Sequence, residues 1–300
     1  MPNTLAHFGV QALGTRIGAP RLDVRWLLLG PVIPDLPWIG QRILGLPFLQ
    51  FDLYDIRIYA IVQASLLFSL LLCGVFSLLS ARPGFIFVVL GLNSAAHLLL
   101  DAVEIKWANG VHFMAPLSWH PFSFQLVWPE DPLILGLTAI GLATIWLCFR
   151  ARGNPIELKL SRGRLAGALL LLGMYLTGPA FFVQAALRSN THFTATLNIG
   201  VLRAGLPVEF DRNHVTVNPA GAVVQAFSRE EIRIANPAEL ETGTYSLQGR
   251  FLDDGSVLVE RAHRHLRPLR EVPTYLGLVF LVWAWLPPGS VRKDANPRLG

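Results

Sequence analysis

The sequence predicts a mainly α-helical protein that crosses a membrane several times and carries one small all-β module outside it. Three observations carry that reading. Hydrophobic residues make up 52% of the 300, only 15% are charged and mean hydropathy is +0.46, which does not suit a soluble chain of this length. Several stretches approach the ~20 apolar residues that span a bilayer. Residues 188–271 break the pattern with short alternating runs and a balanced charge of ten arginines and ten acidic residues.

In chain order, residues 1–23 form a short, moderately apolar segment with His7, then Arg16, Arg21 and Arg25. Thr4 is placed to cap a helix with an apolar face of Leu5, Phe8, Ala12 and Leu13. That helix is too short to span and reads as interfacial or re-entrant. The opening MPNTLAHFGVQALG has no basic n-region or small-residue cleavage site, which argues against a cleaved signal peptide. Pro31, Pro34 and Pro37 follow in WLLLGPVIPDLPWIG and predict a helix to about Gly30, then an irregular segment carrying Asp35. Irregular backbone at membrane depth must be packed by protein or line a cavity. Residues 58–80 and 84–103 read as a helical hairpin, 104–132 as a polar aromatic loop, and 133–149, 165–186 and 273–288 as further spans.

Basic residues fix the expected orientation. Arg150, Arg152, Lys159, Arg162 and Arg164 stand against the single acid Glu157, so 150–164 is expected in the cytoplasm. Arg292, Lys293 and Arg298 place the C-terminal tail on the same side. This makes 188–271 extracytoplasmic in an inner membrane and divides the chain into a helical domain (1–187), the β module (188–271) and a last helix with its tail (272–300). The pI near 9.6 arises from these span-flanking residues, so nucleic acid is not an expected partner. Cys73 and Cys148 lie within spans and support neither a disulfide framework nor a thiolate zinc site. There is no Gly-rich phosphate loop and no Gly-x-Ser-x-Gly elbow.

Within the module, FTATLNIG, PVEFDR, HVTVNP and AVVQAF read as strands. YSLQGRF and SVLVERA flank Leu252-Asp253-Asp254-Gly255, a hairpin signal because Asp-Gly supplies positive φ. About five strands suggest a small barrel or sandwich, the last hairpin being OB-like. No aromatic stacking platform is visible, so an accessory or interaction domain is the plainer reading.

The chemistry-bearing stretch is LNSAAHLLLDAVEIKW, residues 92–107. Asn93, His97 and Asp101 fall at i, i+4 and i+8, on one face of an apolar helix. Imidazole and carboxylate in a span must pair, bind an ion or line a wet cavity. Together with His7 and Asp35 they form a donor set suited to zinc or another divalent first-row ion, with Asn93 available to orient a ligand. The plainer alternative is a His97–Asp101 pair bridging helices. His112 and His120, near Trp107, Trp119 and Trp128, read as part of an interfacial aromatic belt. His263 and His265 alternate with arginines and read as a solvated face.

Residues ~1–130 resemble the family of membrane-bound metal-dependent hydrolases, the LexA-regulated inner-membrane type related to zinc-dependent phospholipase C and S1/P1 nuclease. The matching elements are His7 in TLAHFG, Gly30 to Asp35 in GPVIPD, His97 and Asp101 in HLLLD, and APLSWHPFSF at 115–124. The resemblance implies a divalent metal, zinc above all, held by His7, Asp35, His97 and Asp101. It also implies a metal-activated water as nucleophile and a phosphoester or phospholipid as substrate. The sequence departs from the family at DIRIYAIVQASLL, where Gln63 stands in place of a histidine; Gln63 is then at most an outer partner, and Asp52, Asp55, His112 or His120 would have to rebuild the set. The competing reading is a membrane scaffold whose site has decayed and whose β module binds an envelope protein. A transporter using Asp35 and Asp101 is a third, without the repeated pair of broken helices that fold would show.

Overall fold

A computed structural model of the chain describes residues 3–108, 110–150, 158–189 and 191–286. Arg152, Glu157 and the tail residues Arg292, Lys293 and Arg298, on which part of the expected orientation rests, lie outside them.

The first part of the N-terminal segment, Asn3–Ala12, is buried inside the helical body apart from Val10, whereas Leu13–Gly18 has no buried residue. Helix α1 (Thr4–His7) is capped by Asn3, whose side-chain oxygen accepts the Ala6 amide at 2.9 Å. Thr4, the residue expected to cap, is instead packed against Gly277. A π-helical turn, Phe8–Ala12, then leads into α2 (Leu13–Gly18). Next come α3 (Val24–Leu29), a 3-10 turn over Gly30–Asp35 and α4 (Leu36–Leu44). The turn is the irregular segment the prolines predict: Pro31 and Pro34 have no amide to donate, and all six residues are buried in protein.

The expected span 58–80 is broken. Helices α5 (Leu53–Gln63) and α6 (Leu66–Leu78) meet at 73°, because Ala64 leaves the helical region and Ser65 is extended. Helices α7 (Pro83–Val103), α8 (Pro132–Arg150), α9 (Arg162–Thr177) and α10 (Val183–Arg188) follow. Among the described residues, α7, α8 and Arg162–Phe181 are long and apolar enough to cross a membrane, and the bent α5–α6 pair makes a fourth if counted as one span.

FTATLNIG, expected as a strand, folds as a 3-10 turn (Thr191–Phe193), helix α11 (Thr194–Asn198) and the start of another turn (Gly200–Arg203). Its β-branched composition is a weak signal, and burial of Leu197 against the core of the sheet overrides it. The sheet comprises β1 (Pro207–Asn218), β2 (Gly221–Gln225), β3 (Glu231–Ile234), β4 (Gly243–Phe251) and β5 (Val257–His265). Two predicted strands merge into β1 across a bulge between Phe210 and Asn213, where Arg212 has a φ of 57°. β3 was not anticipated; the LDDG hairpin forms between β4 and β5, with Gly255 at φ +76°. The order β1-β2-β3-β5-β4 returns to β1 through the antiparallel β4–β1 pairing, and its thinnest link is the one parallel pair between β3 and β5, Ile234 with Val257. The result is a small mixed sheet over Val208, Phe210, Val224, Ile232, Leu247 and Phe251.

Helix α12 (Arg267–Trp285) leaves the sheet and packs on α1 and α3. It was expected to be the last span from residue 273, yet it is not among the membrane-length apolar helices: Arg267, Arg270 and Glu271 occupy its first turns. The module is fastened to the helical body. Tyr54 Oη donates to Leu197 O at 3.1 Å, and Glu209 accepts the Ala108 amide.

Candidate metal centre

Three separated pieces of chain bring the polar residues to one place. The π-turn sets His7 facing α7, the 3-10 turn presents Asp35, and α7 carries His97 and Asp101 one turn apart. The donor atoms of His7, His97 and Asp101 all lie within 4.8 Å of one another, and Asp35 joins through His97. Both histidines are fully buried, and their rings stack at 3.9 Å and 8°.

The spacings are informative. His7 Nε2 lies 3.3 Å from Asp101 Oδ1, and His97 Nε2 lies 3.5 Å from Asp35 Oδ1 and 3.8 Å from Asp101 Oδ2. Good N–H···O bonds fall at ~2.7–3.2 Å. Donors bound at ~2.0–2.1 Å to one tetrahedral ion stand about 3.3–3.4 Å apart. The three donors His7, His97 and Asp101 are therefore close enough to share one ion. The atoms of the cluster agree: His7 Nε2, His97 Nε2, Asp35 Oδ1 and Asp101 Oδ1 are all buried without a hydrogen-bond partner. Such orphans are costly unless something satisfies them together.

The outer contacts set the tautomers. His97 Nδ1 lies 2.6 Å from the Pro31 carbonyl, which can only accept, so Nδ1 carries the proton and Nε2 offers its lone pair to the centre. His7 Nδ1 lies 2.9 Å from the amide nitrogen of Gln11, whose Oε1 is left unpartnered. A half-turn of that amide puts Oε1 on Nδ1–H and frees His7 Nε2 for an ion. Replacing Gln11 with alanine is expected to weaken divalent-ion binding ~10–100-fold, the usual effect of losing an outer-shell partner. Gln11→Glu, which still accepts from Nδ1, should keep most of the affinity; competition titration with a chromophoric chelator checks both.

A chain of ion pairs leads outward. Lys106 Nζ is 3.2 Å from Asp101 and 3.4 Å from Glu104; Arg212 on β1 is 3.7 Å from Glu104 and 2.8 Å from Asp211. Within this network four carboxylates, Asp35, Asp101, Glu104 and Asp211, face two permanent cations, Lys106 and Arg212. Burial opposes ionisation of Glu104, but surrounding positive charge, Lys106 and Arg212 included, holds its carboxyl down to about 2. Burial likewise works against the Lys106 ammonium, and Asp101 with Glu104 more than compensates, raising it.

Two cavities adjoin the centre. A cavity of about 30 Å³ touches Asp101, Lys106 and His112 and is bounded by Trp38 and His192. Those two residues also line a cavity of about 470 Å³ between α4, α12 and the β module, with Arg42, Arg57, Arg212 and Arg270 in its wall. A volume of that size suits a small-molecule ligand, and its guanidinium lining suits an anion.

Not every expected residue takes part. Asn93 donates to Thr15 Oγ1 and the Val89 carbonyl, and these bonds do not orient His97 or Asp101. Gln63 donates to the Tyr175 carbonyl at 3.2 Å and lines a separate apolar cavity beside Tyr59 and Leu72. Asp52 caps α5, Asp55 lines that same apolar cavity, and His120 is exposed. His112 donates to the Trp119 carbonyl, and burial pushes its imidazole down to about 4. Sequence reasoning missed Gln11, Glu104, Lys106 and Arg212. Gln11 at His7+4 and the Glu-x-Lys directly after HLLLD were the available signals; Arg212 had none. His263 and His265, read as a solvated face, instead meet Glu130, and this second group can also hold a metal ion.

No protein-family model matches the chain, and neither a curated protein nor a solved structure shows significant similarity to it.

Proposed function

We propose that this is a multi-pass inner-membrane, metal-dependent hydrolase acting on a phosphoester, with a lipid phosphoester as the favoured substrate class. The observation that carries the reading is the convergence of His7, His97 and Asp101, with Asp35 3.5 Å from His97 and four buried donor atoms without hydrogen-bond partners. A divalent ion such as zinc, held by His7, His97 and Asp101, supplies Lewis acidity and lowers the pKa of water. Asp35, whose Oδ1 has no partner, is placed to accept a proton. Lys106 offers N–H donors on the side of the small cavity, where they favour negative charge developing on phosphoryl oxygens. The arginine-lined cavity supports an anionic substrate entering from the module side, past Trp38 and His192.

In this reading, loop 150–164 faces the cytoplasm, and the β module is extracytoplasmic, standing over the mouth of the site. Its small mixed sheet serves here as a wall and not as a nucleic-acid platform. The ties from Tyr54, Ala108 and Glu104 to the module favour that role over a free arm for an envelope partner.

The test is hydrolysis by the purified, zinc-loaded full-length protein in phospholipid–detergent micelles, with bis-p-nitrophenyl phosphate as a soluble probe. Release of phosphoester product should stop on chelation, return with added zinc and be absent from Asp101→Asn. Turnover that persists in Asp101→Asn, or its absence from loaded wild type on both substrates, would refute the proposal.

A further inference from the structure

A second cluster lies where the module meets the loop before α8. His263 and His265 are on β5, and Glu130 comes from the loop. His265 Nδ1 is 2.9 Å from Glu130 Oε1, and His263 Nε2 is 3.7 Å from Glu130 Oε2. The His263 ring is stacked flat on Trp128 at 3.7 Å and 3°. That contact fixes which way its nitrogen points.

His265 is held from both sides: Nε2 lies 2.9 Å from Ser246 Oγ, and Nδ1 faces Glu130 Oε1 across 2.9 Å. Ser246 Oγ in turn accepts the Arg212 amide at 3.2 Å and lies 3.4 Å from Asp211 Oδ1. A hydrogen bond from His265 to Glu130 leaves two atoms of the cluster unsatisfied, because Glu130 Oε2 and His263 Nε2 are buried without partners. The donor atoms of Glu130, His263 and His265 all lie within 4.8 Å of one another, so one metal ion can take them together. Glu130 Oε1 meanwhile accepts the Leu266 amide, which leaves Oε2 as the metal-facing oxygen.

We infer that Glu130, His263 and His265 form a second divalent transition-metal site, of the two-imidazole, one-carboxylate type that zinc favours. Ser246, 2.9 Å from His265 Nε2, is its outer partner and orients the ring. Glu130 and His265 also line the 470 Å³ cavity, so the site keeps one side open to it. The inference does not depend on the hydrolase reading, because its ligands and those of the α7 centre are different residues.

Cobalt(II) added to the full-length protein in detergent tests it, with ions per chain counted after dialysis and tryptophan emission followed. Wild type is expected to bind two ions, one of them quenching the Trp128 share of the emission. His263→Ala and Glu130→Gln should each lose one ion, with at least a ~100-fold drop in affinity, and lose the quench. His97→Ala should lose the other ion and keep the quench; Trp128→Phe should lose the quench while binding both ions. If both His263→Ala and Glu130→Gln keep wild-type stoichiometry and quench, or wild type shows no Trp128-dependent quench, the site is overturned.

Discussion

Replacing His97 with alanine is expected to remove the ion of the α7 centre and to reduce divalent-metal affinity there by at least ~100-fold. Losing an outer-shell partner already costs ~10–100-fold, and His97 is an inner donor. Its Nε2 is the atom through which Asp35 and Asp101 are joined, at 3.5 and 3.8 Å. The variant also leaves two buried carboxylates without that partner. His97→Gln, which keeps most of the volume, separates loss of the ligand from loss of packing. Metal analysis and thermal unfolding check the outcome together. A ligand at ~100 times its Kd stabilises the folded state by about 2.7 kcal/mol, and this zinc-dependent gain should be present in wild type and absent from both variants. An equal ion count and an equal zinc-dependent gain in wild type and in both variants would refute the assignment.

The second large effect is expected at a glycine that is not itself a ligand. A Cβ built on Gly141 of α8 falls well inside contact distance of the Leu5 carbonyl oxygen, and Gly9 is in the reciprocal position against the Leu137 carbonyl. Both neighbours are backbone, so no side chain can rotate aside. Gly141→Ala should destabilise the helical body by about 1–3 kcal/mol or more, the range for overpacking. It should also push α1 off α8 and carry His7 away from Asp101, 3.3 Å distant. We expect a drop in metal affinity as well as in melting temperature. Gly136→Ala on the same helix, with nothing within 4 Å of the added carbon, is the matched control and should change neither. If Gly141→Ala melts and binds metal like Gly136→Ala, the α1–α8 contact does not position His7.

These two substitutions also show how far the sequence could be read. His97 and Asp101 were legible because helical periodicity puts i and i+4 on one face, and an apolar surround makes such a pair conspicuous. Asp35 was legible from the prolines, which forbid a regular helix where it sits. His7 became a companion only through motif order, since nothing local marks a lone histidine on a short apolar helix. The polar shell was harder. Arg212 reaches Glu104 from the β module because β1 bulges there, and a bulge is set by strand pairing, not by composition. His263 and His265 look like a solvated face along their own strand. Only the loop carrying Trp128 and Glu130, more than a hundred residues earlier, turns them into a cluster.

Composition and periodicity by themselves determined the helical body with membrane-length apolar helices, the separate sheet-forming segment, the LDDG hairpin and the line of His and Asp on α7. Those are properties of hydropathy and of neighbours within a turn or two. The tertiary structure alone decided that Asn3–Ala12 is largely buried, that the 58–80 span bends, that FTATLNIG is helical and that His7 meets His97 and Asp101, with Asp35 beside His97. Each of these depends on close backbone approach or on pairing between residues distant in the chain, where long-range packing outweighs local preference.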